Sequence, residues 1–123
     1  MKQSILEVIK SRHSVRTYSN NPIDESILEK IQTYIDSVTN PFNKKIQIKL
    51  LKPDGYHNEK LGTYGVIKNP SYFLAAYCED KPLTLEALGY TFETVILYCT
   101  SLGLGTVWLG GTFNKGKFAK AVE

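Results

Sequence analysis

The only two arginines of the chain lie four residues apart near its N-terminus, as Arg12 and Arg16. Every other strongly basic side chain is a lysine. Arginine presents a rigid fork of N–H groups that can grip a phosphate through two parallel hydrogen bonds, which lysine cannot reproduce. His13 and Ser14 add two further donors between the arginines. The stretch 11–18 is therefore a candidate phosphate-binding site, although residue types alone favour a surface ion-pair patch.

The spacing of apolar residues predicts the elements that position this stretch. Residues 5–9 form a short amphipathic pattern, which predicts a helix ending between Ser11 and His13. A second helix is expected to begin after Asp24, a favourable N-cap residue, and to end before the pair Asn40-Pro41. Arg12 and Arg16 are thus placed at a helix-to-loop junction.

The sequence from residue 45 onward is predicted to contain strands and one long helix. Residues 45–50 alternate with period two, which predicts a strand with one buried face. Residues 71–78 are almost all apolar, which favours a strand covered on both faces. A helix over 85–102 should follow, with Gly103 as its left-handed C-cap. A short strand at 106–109 and a helix beginning around Asn114 complete an order typical of an α+β fold.

Composition limits the class of protein. The 123 residues are 42% hydrophobic and 22% charged, which is typical of one globular domain. The net charge of +3 comes from lysines spread along the chain, so we do not expect nucleic acid as a partner. Cys78 and Cys99 lack metal-ligand spacing and indicate free thiols in a reducing cytoplasm. No apolar run approaches the ~20 residues of a membrane span, and we expect no membrane partner.

Two stretches resemble the FMN-dependent nitroreductase family. The short helix followed by the pattern R-[RH]-S-x-R-x-[YF] over residues 12–18 is similar to the opening of that family. The long helix followed by Gly-Leu-Gly-Thr, a short strand and Leu-Gly-Gly is similar to its flavin-edge segment, particularly in the thermophile-type branch. Two matches in the right order are stronger than either alone, and together they cover nearly the whole chain.

The resemblance implies a fold and a set of site residues. The fold would be a helix-flanked, mainly antiparallel sheet, and residues 1–123 would be the front half of one such domain, incomplete within one chain. By position, the residues that hold FMN through its phosphate, ribityl chain or ring are Arg12, His13, Ser14 and Arg16. The backbone of Leu109, Gly110 and Gly111 would border the reactive edge of the flavin, where a missing Cβ permits close approach; a strand-end turn is the plainer interpretation. Asn43, or alternatively Asn40, would match a family asparagine that contacts the pyrimidine edge of the flavin.

The resemblance also implies an activity. Reduced nicotinamide, NADH or NADPH, would give hydride to FMN, and a small-molecule acceptor such as a nitroaromatic or a quinone would then be reduced. The alternative is a non-catalytic relative that binds flavin weakly or serves as an assembly module. A homodimer is expected, because a helix over 85–102 with two apolar faces should need more cover than so short a chain supplies. Trp108 is predicted to lie in the core, like most alternating strand residues.

Overall fold

Three helices and two strands make up the described part of the chain, which comprises residues 3–19, 21–52 and 72–109 of a computed structural model. Their order is α1 (Ile5–Ser11), α2 (Glu25–Ser37), β1 (Gln47–Leu51), β2 (Phe73–Tyr77) and α3 (Thr84–Ser101). Each lies within three residues of its predicted bounds. The structure therefore confirms the α+β class.

The two strands pair antiparallel, with Gln47 opposite Tyr77 and Leu51 opposite Phe73. The Tyr77 hydroxyl donates a 2.9 Å hydrogen bond to Gln47 Oε1 across the pair. Ile48 is buried as the alternation of β1 predicts, but Leu51, on the opposite face, is buried as well. Among the residues of β2 only Phe73 is buried, so the prediction of a strand covered on both faces holds only at its start.

Helix α3 is the centre of the described structure, and it contacts α1, α2 and β2. Val95 and Cys99 form a core cluster with Ile31 of α2 and Ile48 of β1. Burial of these four side chains packs α2 and the sheet against the same helix, and each of the three aliphatic ones contributes about 1.5–3 kcal/mol. The cluster covers one side of α3, while Leu85 and Tyr90 remain exposed, so the expected dimer stays a prediction.

The end of α3 directs the chain toward the N-terminal segment. Gly103 has φ +87°, as the left-handed C-cap prediction requires. Its N–H donates to the carbonyl of Thr100, and the N–H of Leu104 donates to the carbonyl of Cys99 at 3.1 Å. These two bonds form a Schellman motif, which satisfies carbonyls at the helix end and turns the chain sharply.

The turn between α2 and β1 is held by one asparagine. The Asn40 side-chain oxygen accepts the N–H groups of Phe42 and Lys44, and its amide donates to the carbonyl of Lys44 at 2.8 Å. Helix α2 has already ended at Ser37, so the Asn40-Pro41 pair forms the turn rather than the last helical residues. Asp24 occupies the N-cap position of α2, but its side chain makes no capping hydrogen bond.

One predicted strand is absent from the described residues. Residues 106–109 form only an isolated parallel bridge, between Thr106 and Ser14. Their partner is the loop after α1 rather than the sheet, so a single bridge forms in place of a ladder. The helix expected around Asn114 and the irregular stretch at 55–70 lie outside the described residues. No helix in the described ranges is long and apolar enough to cross a bilayer.

Candidate functional site

The two stretches singled out by residue type and spacing lie side by side. Ser14 and Thr106 form the parallel bridge, and the Val15 N–H donates to the Thr106 carbonyl at 2.9 Å. Gly105 packs so closely on this segment that a Cβ there would lie 2.9 Å from Val15 Cγ2. The absence of a side chain at Gly105 is therefore what allows the loop after α1 and the loop after α3 to meet.

Arg12 joins the same two segments through its side chain. It is the C-cap residue of α1, where a cation complements the exposed carbonyl groups. Its Nε donates to Thr106 Oγ1 at 3.1 Å, and its Nη2 donates to the Thr106 carbonyl at 3.3 Å. A guanidinium group carries five N–H donors, and these bonds use two of them. Arg12 thus fixes the junction and retains donors for an anion.

Both arginines act on Tyr18, which follows them in the same segment. Partial burial raises the pKa of the Tyr18 hydroxyl, and the nearby positive charges of Arg12 and then Arg16 oppose that rise. Both cations therefore lie close enough to influence the Tyr18 hydroxyl. Arg16 itself is exposed. That the two arginines form one positively charged site stays a prediction.

His13 and Ser14 are both exposed between the arginines. His13 Nδ1 lies 3.1 Å from the Ser11 carbonyl oxygen. Because a carbonyl only accepts, Nδ1 must carry the proton in this bond, and Nε2 can donate to an anion only when the ring is an imidazolium. Ser14 is tied by its backbone to Thr106 while its side chain lies at the surface.

A cleft of about 810 Å³ opens beside this junction. It lies between β2, the side of α3 that carries Leu88, Phe92 and Ile96, and parts of the segments 15–19 and 103–109. Most of its lining is apolar, with tyrosine hydroxyl groups from Tyr18 and Tyr72 among the polar exceptions. Sites for cofactors and small molecules usually enclose roughly 300–1,000 Å³ with a mostly apolar lining. The cleft is large enough for a flavin-sized ring system.

Trp108 lies at this cleft and not in the core, contrary to the sequence prediction. Its side chain is 43% exposed. The indole ring packs at 66° to the ring of Phe92, with centroids 4.9 Å apart, and its Nε1–H donates to Glu93 Oε1 at 2.8 Å. The prediction was wrong because residues 106–109 do not alternate within a sheet, so no sheet face buries the indole.

The remaining predicted site residues fall into two groups. Leu109 is partly buried and lines the cleft, whereas Gly110 and Gly111 lie outside the described residues. Asn43 is exposed, has φ 55° and does not line the cleft. A left-handed backbone is one that asparagine adopts readily, so the turn itself accounts for Asn43. The side chain of Asn40 is occupied by that turn.

Comparison with known proteins identifies the family. Residues 4–123 match the family model described as "Putative TM nitroreductase". The chain belongs to this nitroreductase family. No curated protein matches the sequence. Membership confirms the resemblance stated from residues 12–18 and 103–111, and it indicates a protein of the oxidoreductase class.

Three residues that the structure connects to this candidate site, Thr106, Tyr18 and Glu93, were not singled out from the sequence. Thr106 was noted only as part of the Gly-Leu-Gly-Thr pattern, and its role as the acceptor for Arg12 required the structure. Tyr18 closes the R-[RH]-S-x-R-x-[YF] pattern, which was the available signal. Nothing in the sequence pairs Glu93 with Trp108. The described residues contain no group of His, Cys, Asp or Glu that could hold a metal ion.

Proposed function

We propose that this nitroreductase-family chain is an FMN-dependent oxidoreductase that uses NADH or NADPH to reduce nitroaromatic or quinone-like acceptors. The observation that carries the proposal is the Ser14–Thr106 bridge. It brings together, at one cleft, two stretches that resemble the phosphate-binding and flavin-edge segments of the family. The two loops are more than 90 residues apart in the sequence, and the hydrogen bond from Arg12 to Thr106 holds them together.

The phosphate of FMN would lie against Arg12 and Arg16, with His13 and Ser14 beside it. Arg12 has donors beyond the two that Thr106 accepts, and Arg16 is exposed and near enough for its charge to influence Tyr18. A charge-assisted hydrogen bond contributes about 1.5–3 kcal/mol. Two arginines of this kind are sufficient to anchor a dianion at the edge of the cleft.

The cleft would take the ring system, and the backbone of Leu109, Gly110 and Gly111 would border it. When bound, FMN supplies the redox chemistry, accepting hydride from the nicotinamide and passing two electrons to the acceptor. The net reaction converts NAD(P)H, a proton and a quinone into NAD(P)⁺ and a hydroquinone. The chain's own contribution is to hold the phosphate at the arginines, to exclude water with the apolar wall of β2 and α3, and to orient the ring.

We also propose that the protein works as a homodimer in the cytoplasm. The dimer proposal rests on large apolar side chains that the described structure leaves half exposed or more: Ile5, Leu6 and Ile9 of α1, and Leu83, Leu85 and Tyr90 at and near the start of α3. Exposed apolar patches often mark an interface between subunits. Cys78 and Cys99 are free, in keeping with a reducing compartment.

One observation favours a second candidate, a non-catalytic relative. The bond between Arg12 and Thr106 gives the first arginine a structural role that needs no ligand. A chain that kept the fold but not the chemistry would retain this bond, and would bind flavin weakly or serve in assembly.

The two candidates differ in turnover. The purified protein, reconstituted with FMN, is mixed with NADH or NADPH and either menadione or nitrofurazone, and loss of the reduced nicotinamide absorbance is followed. The proposal expects multiple turnovers with at least one reductant. Bound flavin without turnover would support the non-catalytic candidate. Failure to bind FMN at all would rule out the flavin site.

A further inference from the structure

The indole of Trp108 is held at the cleft in one orientation. Its Nε1–H donates to the carboxylate of Glu93 at 2.8 Å, and its ring packs at 66° to that of Phe92. These contacts engage one edge of the indole and leave 43% of the side chain exposed. Trp108 therefore presents an aromatic surface to the cleft, held in place by its hydrogen bond and its packing on Phe92.

Two features make this surface suited to one class of molecule. The face of an indole ring is electron-rich, and a carboxylate that accepts its N–H increases that character. A planar, electron-poor ring is therefore the complementary partner. In addition, Trp108 and Leu109, which is proposed to border the flavin, line the same cleft, so a molecule on the indole would share that cleft with the flavin.

We propose that Trp108 determines specificity for the electron acceptor, by stacking planar electron-poor aromatic compounds, and that Glu93 is its positioning residue. This inference rests on the proposed function, because it concerns the acceptor of that reaction. Phe92 supports the indole from α3. The acceptor class is then nitroaromatic or quinoid, and non-planar acceptors gain nothing from the tryptophan.

The inference predicts a selective change in KM. Trp108→Leu in the FMN-loaded protein is expected to raise KM for menadione about three- to tenfold, because a stacking pair is lost. The rate with ferricyanide, an inorganic acceptor with no ring to stack, is expected to stay within about twofold. Phe42→Leu is the matched control, since Phe42 also packs edge-to-face on an aromatic ring but does not line the cleft. It should change neither value.

The positioning role of Glu93 has its own variants. Glu93→Ala removes the acceptor for Nε1–H and should raise KM for menadione in the same direction as Trp108→Leu, by a smaller factor. Glu93→Gln keeps an oxygen at the same place and should restore KM to within about twofold of wild type. Equal effects of the alanine and glutamine variants would overturn the positioning role.

Binding can be observed without turnover, because Trp108 is the only tryptophan in the chain. Titration with 4-nitrobenzoate should quench its fluorescence along a saturating curve, both in the wild type and in Phe42→Leu. A strictly linear, collisional curve would overturn the inference. If wild type and Trp108→Leu show the same menadione-to-ferricyanide KM ratio, the inference fails while the proposed function stands. If no acceptor is reduced, the proposed function fails, and the fluorescence titration alone decides whether Trp108 binds an aromatic ring.

Discussion

At the scale of single residues, Arg12 has two distinct tasks. It bonds to Thr106 within the chain, and it is proposed to bond to phosphate. Arg12→Ala removes both and should weaken FMN binding roughly ten- to a hundredfold. Thr106→Val removes only the acceptor for Nε, so it should lower the free energy of unfolding by about 1 kcal/mol and change FMN affinity less than about threefold. FMN fluorescence titration and urea denaturation measure the two effects.

A matched control separates phosphate binding from general charge. Lys30→Ala removes one positive charge from the exposed surface of α2, away from the cleft. It should leave FMN affinity within about twofold of wild type. If Lys30→Ala weakened FMN as much as Arg12→Ala does, the arginines would have no specific role.

The close contact between Gly105 and Val15 predicts that a substitution at Val15 partly reverses the effect of a substitution at Gly105. Gly105→Ala places a Cβ 2.9 to 3.1 Å from three atoms of Val15, so the loops after α1 and α3 must separate. We expect a loss of about 1–3 kcal/mol of stability, with weaker FMN binding. Adding Val15→Ala removes two of those atoms and should recover part of both losses. A double variant no better than Gly105→Ala would show that this contact does not hold the junction.

At the scale of elements, the start of α3 contains a strained residue. Leu83, the N-cap residue, has φ 70°, which costs a non-glycine residue roughly 1 kcal/mol. Leu83→Gly should therefore raise the free energy of unfolding, by up to about 0.5 kcal/mol after the added freedom of the unfolded chain is counted. Leu85→Gly, at an exposed position inside the helix, should lower it by about 1 kcal/mol. The opposite signs distinguish relief of strain from a general effect of glycine.

The elements themselves were largely predictable from the sequence. Apolar spacing located the three described helices and both strands, because α2, β1, β2 and α3 each place one face against the same core and α1 buries Val8. The sequence did not predict that residues 106–109 would bridge to Ser14 instead of entering the sheet. Strand propensity indicates only that residues suit a pleated, half-buried surface, and it does not predict which segment the strand pairs with. The same limit explains the wrong prediction for Trp108.

At the scale of the whole molecule, burial of Cys99 makes stability depend on pH. Burial raises the pKa of its thiol from 9.0 to about 11. Below pH 9 both folded and unfolded thiols are protonated and stability is fully present. Between pH 9 and 11 the unfolded chain loses a proton that the folded chain keeps, so stability falls as pH rises. Between pH 8 and 10 wild type should lose about 1 kcal/mol more than Cys99→Ala, measured by urea unfolding. Equal losses would contradict this cause.

The candidate site was predicted in part. Arginine chemistry and the family resemblance identified the segment 12–18, and the resemblance identified the segment around Leu109. The sequence gives no distance between them, because the Schellman turn at Gly103, the contact of Gly105 with Val15 and the bonds to Thr106 bring them together in the fold. Asn43 was chosen by position alone, and its left-handed turn conformation offers a simpler reason for its identity.

The central claim is that Arg12 and Arg16 hold the phosphate of a flavin at the junction with Thr106. FMN and riboflavin differ only in that phosphate, so their relative affinity measures it directly. Titration of the purified protein with each flavin should show FMN bound at least about tenfold more tightly, and Arg16→Ala should reduce that preference severalfold. Equal affinity of the wild-type protein for FMN and riboflavin would contradict the claim.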